Sequence, residues 1–78
     1  MNEKCLVDLK INEVSKIKQI NIKDEKVKAQ LQNLGFITGE EVKLLKYNYK
    51  KEGFLVKVMN VNYAVDRNIC EGIIVCEK

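Results

Sequence analysis

The sequence contains no histidine among its 78 residues. Histidine is the most frequent transition-metal ligand in proteins and the usual general base of enzymes, so its absence removes the simplest route to both kinds of site. The sequence also lacks a P-loop and a nucleophile with an identifiable base. The adjacent carboxylates Glu40 and Glu41 lie beside a predicted turn, where solvated charge is the expected state. We therefore predict that the protein is not an enzyme.

Cysteine is scarce and is not spaced as in a metal site. Cys5, Cys70 and Cys76 form an odd set without a CxxC pair, which in a reducing compartment is expected as packed thiols rather than disulfides. Two thiols near the end of the chain do not complete a tetrahedral site, and Fe(II) typically takes imidazole and carboxylate ligands. We predict no metal ligands and no cofactor.

Long apolar runs are missing as well. No run approaches the roughly 20 residues that cross a bilayer, and the N-terminal "MNEKCLVDLK" lacks the apolar segment of a signal peptide, so we expect a cytoplasmic protein. The formal net charge is only +3, from 14 basic and 11 acidic residues that are interspersed along the chain. Because nucleic-acid-binding proteins usually carry a strongly basic face, nucleic acid is not the expected partner.

The residues that are present suit one small domain spanning 1–78. Apolar residues make up 46% and charged residues 32% of the chain, a mixture that favours a compact fold over disorder. Valine and isoleucine dominate the apolar set, which favours strands. The chain therefore has the composition of a small β-rich domain.

A helix is predicted between the first long strand and the rest of the chain. Asp24 is a good N-cap, and Val27, Leu31 and Leu34 recur at helical spacing, so they form one apolar stripe that should dock on a sheet. With the helix ending at Leu34, Gly35 falls where a left-handed residue satisfies the last carbonyl groups.

The residues after the helix predict a tight return of the chain. In the glycine-terminated motif, Phe36 packs back against Leu31, so Phe36 and Ile37 should lie under the helix. Thr38 and Gly39 fit the centre of a type II turn, whose second central residue needs a positive φ.

The strands are predicted from alternation of apolar and polar residues. The first contains a bulge, because strict alternation fails once. The segment Cys5–Leu9 is either a short edge strand or an extended lead-in, Asn60 suits a tight turn, and one helical turn fits between Arg67 and Gly72. The predicted strands are Val14–Ile22, Glu41–Tyr47, Phe54–Met59, Asn62–Asp66 and Ile73–Glu77. This order predicts a mainly β fold, a small partly closed barrel with one short helix after the first long strand.

Two stretches, "QLQNLGFITGEEVKLL" and "VKVMNVNYAVDRNICEGIIV", resemble the FeoA family of ferrous-iron-transport proteins, which are small SH3-like barrels. The resemblance covers about residues 6–77. It departs from the family pattern in having no proline and in having Asn60 where glycine is common. The positions that carry it are Leu31, Leu34, Gly35, Gly39, Val42, Ala64, Val65, Arg67, Cys70, Ile73 and Val75.

The resemblance implies a function as well as a fold. It implies an accessory protein on the cytoplasmic side of the ferrous iron transporter FeoB, reaching the membrane only through that partner. FeoA-like domains also occur at the C-terminus of iron- and manganese-dependent repressors. Since 78 residues leave no room for a winged-helix part, we expect a stand-alone transport accessory. The oligomeric state is left open.

A recognition surface is predicted around two tyrosines. Tyr47 and Tyr49 are two apart, so in an extended chain they point the same way, and Lys50 and Lys51 follow them. Aromatic side chains beside a polar loop are how SH3-like barrels bind extended peptides. Alternatively, Tyr47 packs in the barrel and the lysines only solvate the loop. A second functional hypothesis is that "KLLKYNYKK" binds nucleic acid, with lysines on phosphates and tyrosines stacked on bases.

The only arginine of the chain completes the predicted partner-binding set. Arg67 can bind a carboxylate through two parallel hydrogen bonds. It pairs either locally, with Asp66 or Glu71, or with a partner, and local pairing is the simpler expectation.

Overall fold

A computed structural model describes residues 3–77 of the chain. Six antiparallel strands form one sheet in the order β1-β6-β2-β3-β4-β5, which confirms the predicted mainly β class. The sheet is curved but not closed, because among the described residues no ladder joins β1 to β5. The elements are β1 (Glu3–Cys5), a 3₁₀ turn (Leu6–Asp8), β2 (Val14–Ile20), α1 (Glu25–Leu34), β3 (Glu41–Tyr47), β4 (Gly53–Val58), β5 (Val61–Asp66), α2 (Arg67–Glu71) and β6 (Ile73–Glu77).

The N-terminal segment differs from the prediction. The edge strand β1 pairs with β6 and ends at Cys5, and Leu6–Asp8 form the 3₁₀ turn instead of continuing as strand or extended chain. Leu6 is fully buried and Leu9 almost so, because the turn carries both side chains back over the core.

Two irregularities in the ladders decide which side chains share a face. The bulge predicted in β2 is confirmed, since its register against β6 shifts between Ile17 and Gln19. β2 ends at Ile20, two residues earlier than predicted. A second bulge, which was not predicted although the adjacent Leu44 and Leu45 interrupt the alternation, leaves Leu45 of β3 without a partner residue on β4.

The core lies between the inner face of the sheet, α1 and the 3₁₀ turn. Its buried polar residue is Ser15, which lies opposite Val42 on the inner face. The buried apolar residues are Leu6, Leu9, Ile17, Ile20, Leu31, Phe36, Val42, Leu44, Phe54, Val56, Val58, Val65, Cys70, Ile73 and Val75. Within the described part of the chain, neither helix is long and apolar enough to span a membrane.

Helix α1 begins at the predicted N-cap, but it buries less of its apolar stripe than predicted. The Asp24 carboxylate accepts the backbone N–H groups of Lys26 at 3.0 Å and of Val27 at 3.4 Å, as an N-cap does. Leu31 is buried, whereas Leu34 is 44% exposed, so the prediction that Leu34 docks on the sheet is wrong. In the last turn, Leu34 lines an open groove beside Tyr63 and Ala64 of the edge strand β5 instead of the buried core.

Candidate functional site

The end of α1 has the predicted glycine geometry. Gly35 has φ +112°, its N–H donates to the carbonyl of Gln32 at 3.1 Å, and the N–H of Phe36 donates to the carbonyl of Leu31 at 2.9 Å. These are the two hydrogen bonds of a Schellman motif. The phenyl ring of Phe36 is fully buried in the core together with Leu31.

The second predicted glycine turn also forms. Gly39 has φ +96°, and the N–H of Glu40 donates to the carbonyl of Ile37 at 2.9 Å, which closes the turn that leads into β3. Ile37 is 47% exposed, so the expectation that it lies under the helix with Phe36 is wrong. The reversal at Phe36 turns the next side chain outward.

Two residues of the β4–β5 hairpin complete the helix end, and sequence reasoning missed both. The hydroxyl of Tyr63 donates to the carbonyl of Leu34 at 3.1 Å, and its ring lies 5.5 Å from that of Phe36. Met59 lies in the hairpin turn at φ +51°, and its sulfur lies 2.7 Å from where a Cβ on Gly35 would be. No local signal reveals these contacts, because they join segments more than 20 residues apart.

The predicted recognition loop is a compact hairpin between β3 and β4. The side chain of Asn48 closes it by accepting the backbone N–H groups of Glu52 at 2.9 Å and Gly53 at 3.4 Å, and the N–H of Lys51 donates to the carbonyl of Asn48 at 2.9 Å. Lys51 adopts φ +55° to complete the turn. Strand geometry therefore stops before Tyr49.

The two tyrosines occupy different environments. Tyr47 is half-buried, packs against the core with its ring 5.9 Å from that of Phe54, and lies 4.8 Å below the ammonium of Lys51. Tyr49 is 91% exposed in the loop, with the ammonium of Lys50 at 5.9 Å from its ring centroid. The extended chain that would align the two rings ends at Tyr47, so Tyr49 stands apart as the exposed aromatic group.

Arg67 fixes this loop to α2. Its Nε donates to the Glu71 carboxylate at 3.0 Å, its Nη1 donates to the carbonyl of Lys51 at 3.3 Å, and its backbone N–H donates to the carbonyl of Glu52 at 2.9 Å. The local pairing that was favoured from the sequence is therefore present, with Glu71 as partner. We call Tyr47, Tyr49, Lys50, Lys51 and Arg67 the hairpin site.

The comparison with protein-family models is decisive for the fold and family. The model of the FeoA domain matches residues 4–76 of this chain. The chain belongs to the FeoA family. FeoA domains are small accessory domains associated with ferrous iron transport rather than a family of enzymes. A comparison with curated proteins finds no match.

Solved FeoA structures have the same fold. The solution structure of FeoA from Chlorobium tepidum is 24% identical, with a TM-score of 0.84 over 91% of this chain and 67% of that one. The crystal structure of zinc-bound FeoA from Stenotrophomonas maltophilia, described as a prokaryotic SH3 domain protein, is 21% identical, with a TM-score of 0.82 over 92% and 88%. The curved, open sheet is therefore SH3-like, as the resemblance implied.

The same fold occurs as part of a longer protein. IdeR from T. acidophilum is 18% identical, with a TM-score of 0.84, and the match covers 100% of this chain but only 35% of that protein. At this identity the likeness extends to the fold alone.

The cysteines of this FeoA domain are free thiols. Cys70 is fully buried, and burial, assisted by the carboxylates of Asp66 and Glu71, raises its pKa to about 12. Burial, with smaller contributions from Asp8 and Glu71, also raises the pKa of the Cys5 thiol. Raised pKa values make thiols poor nucleophiles and poor metal ligands at neutral pH. Across residues 3–77, no group of three or more cysteine or carboxylate side chains is placed to hold a metal ion.

Proposed function

We propose that this FeoA domain is a small cytoplasmic binding module that acts on the ferrous iron transporter FeoB by protein–protein contact and carries out no chemistry of its own. The observation that carries the proposal is the match of the FeoA family model to residues 4–76. It is supported by the description of the Stenotrophomonas protein as a candidate activating factor of ferrous iron transport.

The hairpin site is the proposed contact surface. Tyr49 presents almost its whole ring to solvent, and two lysines lie on the same loop. The three hydrogen bonds of Arg67 order the loop before any partner arrives, so binding costs less conformational entropy than it would for a mobile loop. An exposed aromatic ring on an ordered loop is a typical contact residue of protein interfaces.

Titration of the domain with full-length FeoB in detergent, and with the cytoplasmic G-protein domain of FeoB alone, tests the proposal. We expect saturable binding to at least one of them. We expect Tyr49→Ala to weaken binding at least about tenfold, the loss of a strong contact residue. Its melting temperature should stay at the wild-type value, because the ring is exposed.

Ile37→Ala is the matched control, because Ile37 is an exposed apolar residue in the turn at the opposite end of β3. It should bind like the wild type. If the folded domain binds neither form of FeoB, the proposal is wrong. If Ile37→Ala weakens binding and Tyr49→Ala does not, the partner is right and the surface is wrong.

A second candidate function rests on the exposure of Tyr49 beside Lys50 and Lys51. The ring of Tyr49 could stack on a base of a single strand, and the two lysines could neutralise its phosphates. Binding of a dT oligonucleotide that weakens steeply with salt and is lost in Tyr49→Ala would support this function over the first.

A further inference from the structure

The outer face of the sheet carries a row of lysines that the sequence order does not reveal. Lys43 of β3 lies directly opposite Lys57 of β4, and Lys16 of β2 lies opposite Glu41 on the same face. Lys46 follows on β3, opposite Leu55. We call Lys16, Lys43, Lys46 and Lys57 the lysine face.

The facing of Lys43 and Lys57 results from the bulge at Leu45. If Leu45 were paired in a continuous ladder, the register that sets Tyr47 opposite Phe54 would place Lys43 opposite the buried Val58. Directly opposed side chains have Cβ atoms about 5 Å apart, and side chains of like charge in such a pair destabilise a sheet. On a face that only contacts solvent, a pair of opposite charges at these two positions would make the sheet more stable. The like-charge pair therefore suggests that the lysines have a binding function that offsets their cost in stability.

The shape of this face suits an elongated ligand. A shallow groove of about 520 Å³ is lined by Lys16, Lys43 and Lys57, and also by apolar residues such as Val14 and by two carboxylates. A second groove of about 410 Å³ is lined by Lys46 and by apolar residues that include Leu55 and Ala64, next to the β3–β4 hairpin. The lysines can bind the carboxylates of a peptide, and the apolar lining can contact its apolar side chains.

We propose that the lysine face binds an acidic polypeptide segment of the partner in an extended conformation. This inference rests on the proposed function and specifies the chemistry of the segment that the domain recognises. Glu40 and Glu41 line the first groove together with its lysines. A phosphodiester strand carries a negative charge at every link and meets these carboxylates unfavourably, whereas a polypeptide can place an uncharged or basic residue against them.

A ten-residue peptide of alternating glutamate and serine, with both ends blocked, is the probe. Its glutamates share one side of an extended chain. We expect binding to the wild-type domain that weakens as salt rises from 50 to 500 mM, because screening shortens the range of the charges. Lys57→Glu should weaken this binding at least tenfold.

The same variant provides a readout that separates binding from folding. Lys57→Glu replaces a like-charge pair with an opposite-charge pair across β3 and β4, so its melting temperature should equal or exceed that of the wild type. Lys23→Glu, in the connection between β2 and α1, makes the same change in net charge away from the lysine face. It should retain peptide binding to within about threefold.

Several outcomes would overturn the inference. The inference is wrong if the peptide binds Lys57→Glu as tightly as it binds the wild type. It is also wrong if a ten-residue dT oligonucleotide or phosphatidylglycerol vesicles bind through the same lysines more tightly than the peptide does. If Lys57→Glu binds FeoB as well as the wild type does, the lysine face is not used although the proposed function stands. If the peptide binds as expected and FeoB does not, the proposed function fails while the recognition chemistry stands.

Discussion

Replacement of Gly35 by valine tests the geometry on which the helix end depends. At φ +112° a residue with a Cβ carries strain of order 1–3 kcal/mol, and β-branching places valine at the upper end. The added Cβ would also lie 2.7 Å from the sulfur of Met59; because this side chain is flexible and 59% exposed, it can shift, so the contact costs about 1 kcal/mol, the low end of the overpacking range. Valine also lowers the conformational entropy of the unfolded chain, which stabilises the folded state by up to about 1 kcal/mol and offsets part of this loss.

The expected net loss for Gly35→Val is therefore about 3 kcal/mol. For a domain of this size, each kcal/mol lowers the melting temperature by roughly 4–8 °C, so the midpoint should fall by roughly 12–24 °C. Thermal unfolding followed by circular dichroism measures the change, and urea unfolding gives the free energy independently.

Gly39→Val is the matched control for this variant. Gly39 also has a positive φ, +96°, but nothing lies within 4 Å of where its Cβ would be. It should lose only the backbone strain, about 1–2 kcal/mol after the unfolded-state offset. Adding Met59→Ala to Gly35→Val should recover part of the packing cost. An unchanged melting temperature for Gly35→Val would refute the reasoning, and an equal loss at Gly39 would refute the role of Met59.

Three further predictions concern single side chains. Ser15→Ala should raise stability by about 1 kcal/mol, because within residues 3–77 the buried Ser15 hydroxyl makes no hydrogen bond. Hydrogen bonds from the Lys10 N–H and then from the Lys4 ammonium lower the pKa of Glu13. Its contribution to the free energy of unfolding is therefore complete above about pH 4.5 and should be lost as the pH falls further. The stability of Glu13→Gln should accordingly depend less steeply on pH in this acidic range than that of the wild type. The pKa of Cys70 is raised from 9.0 to about 12, so its contribution to the free energy of unfolding is complete below pH 9 and is lost as the pH rises from 9 to about 12. Over this pH range, the melting temperature of Cys70→Ala should therefore fall less than that of the wild type.

The parts of the fold that the sequence predicts are those determined by local backbone rules. The N-cap at Asp24, the left-handed Gly35 and the turn at Gly39 each follow from the conformations that a few adjacent residues allow. Alternation likewise revealed the bulge in β2, because a side chain that breaks the period is visible in the sequence itself.

The parts that could not be predicted depend on pairing between distant segments. Helical periodicity places Leu34 on the apolar stripe, but its exposure depends on the open groove that the helix end forms with the distant strand β5. The bulge at Leu45 is an exception: the adjacent Leu44 and Leu45 break the alternation of β3 once, which is the signal that revealed the bulge in β2, and it was missed. The opposition of Lys43 and Lys57 depends on that bulge and on the pairing with β4, so it was missed as well.

The hairpin site was predicted as a set of residues but not as an arrangement. The composition of the loop indicated Tyr49 and the lysines, whereas the role of Asn48 in ending the strand, and hence the separation of Tyr49 from Tyr47, depends on side-chain hydrogen bonds in the folded loop. The contact of Arg67 with the Lys51 carbonyl joins α2 to that loop across 16 residues of chain.

The measurement that tests the central claim most directly is a map of backbone amide chemical shifts of the ¹⁵N-labelled domain during titration with full-length FeoB in lipid nanodiscs. The account predicts that the perturbed amides cluster in the loop around Tyr49 and along the lysine face of β3 and β4. A spectrum that FeoB leaves unchanged, or perturbations confined to α1 and β1, would contradict it.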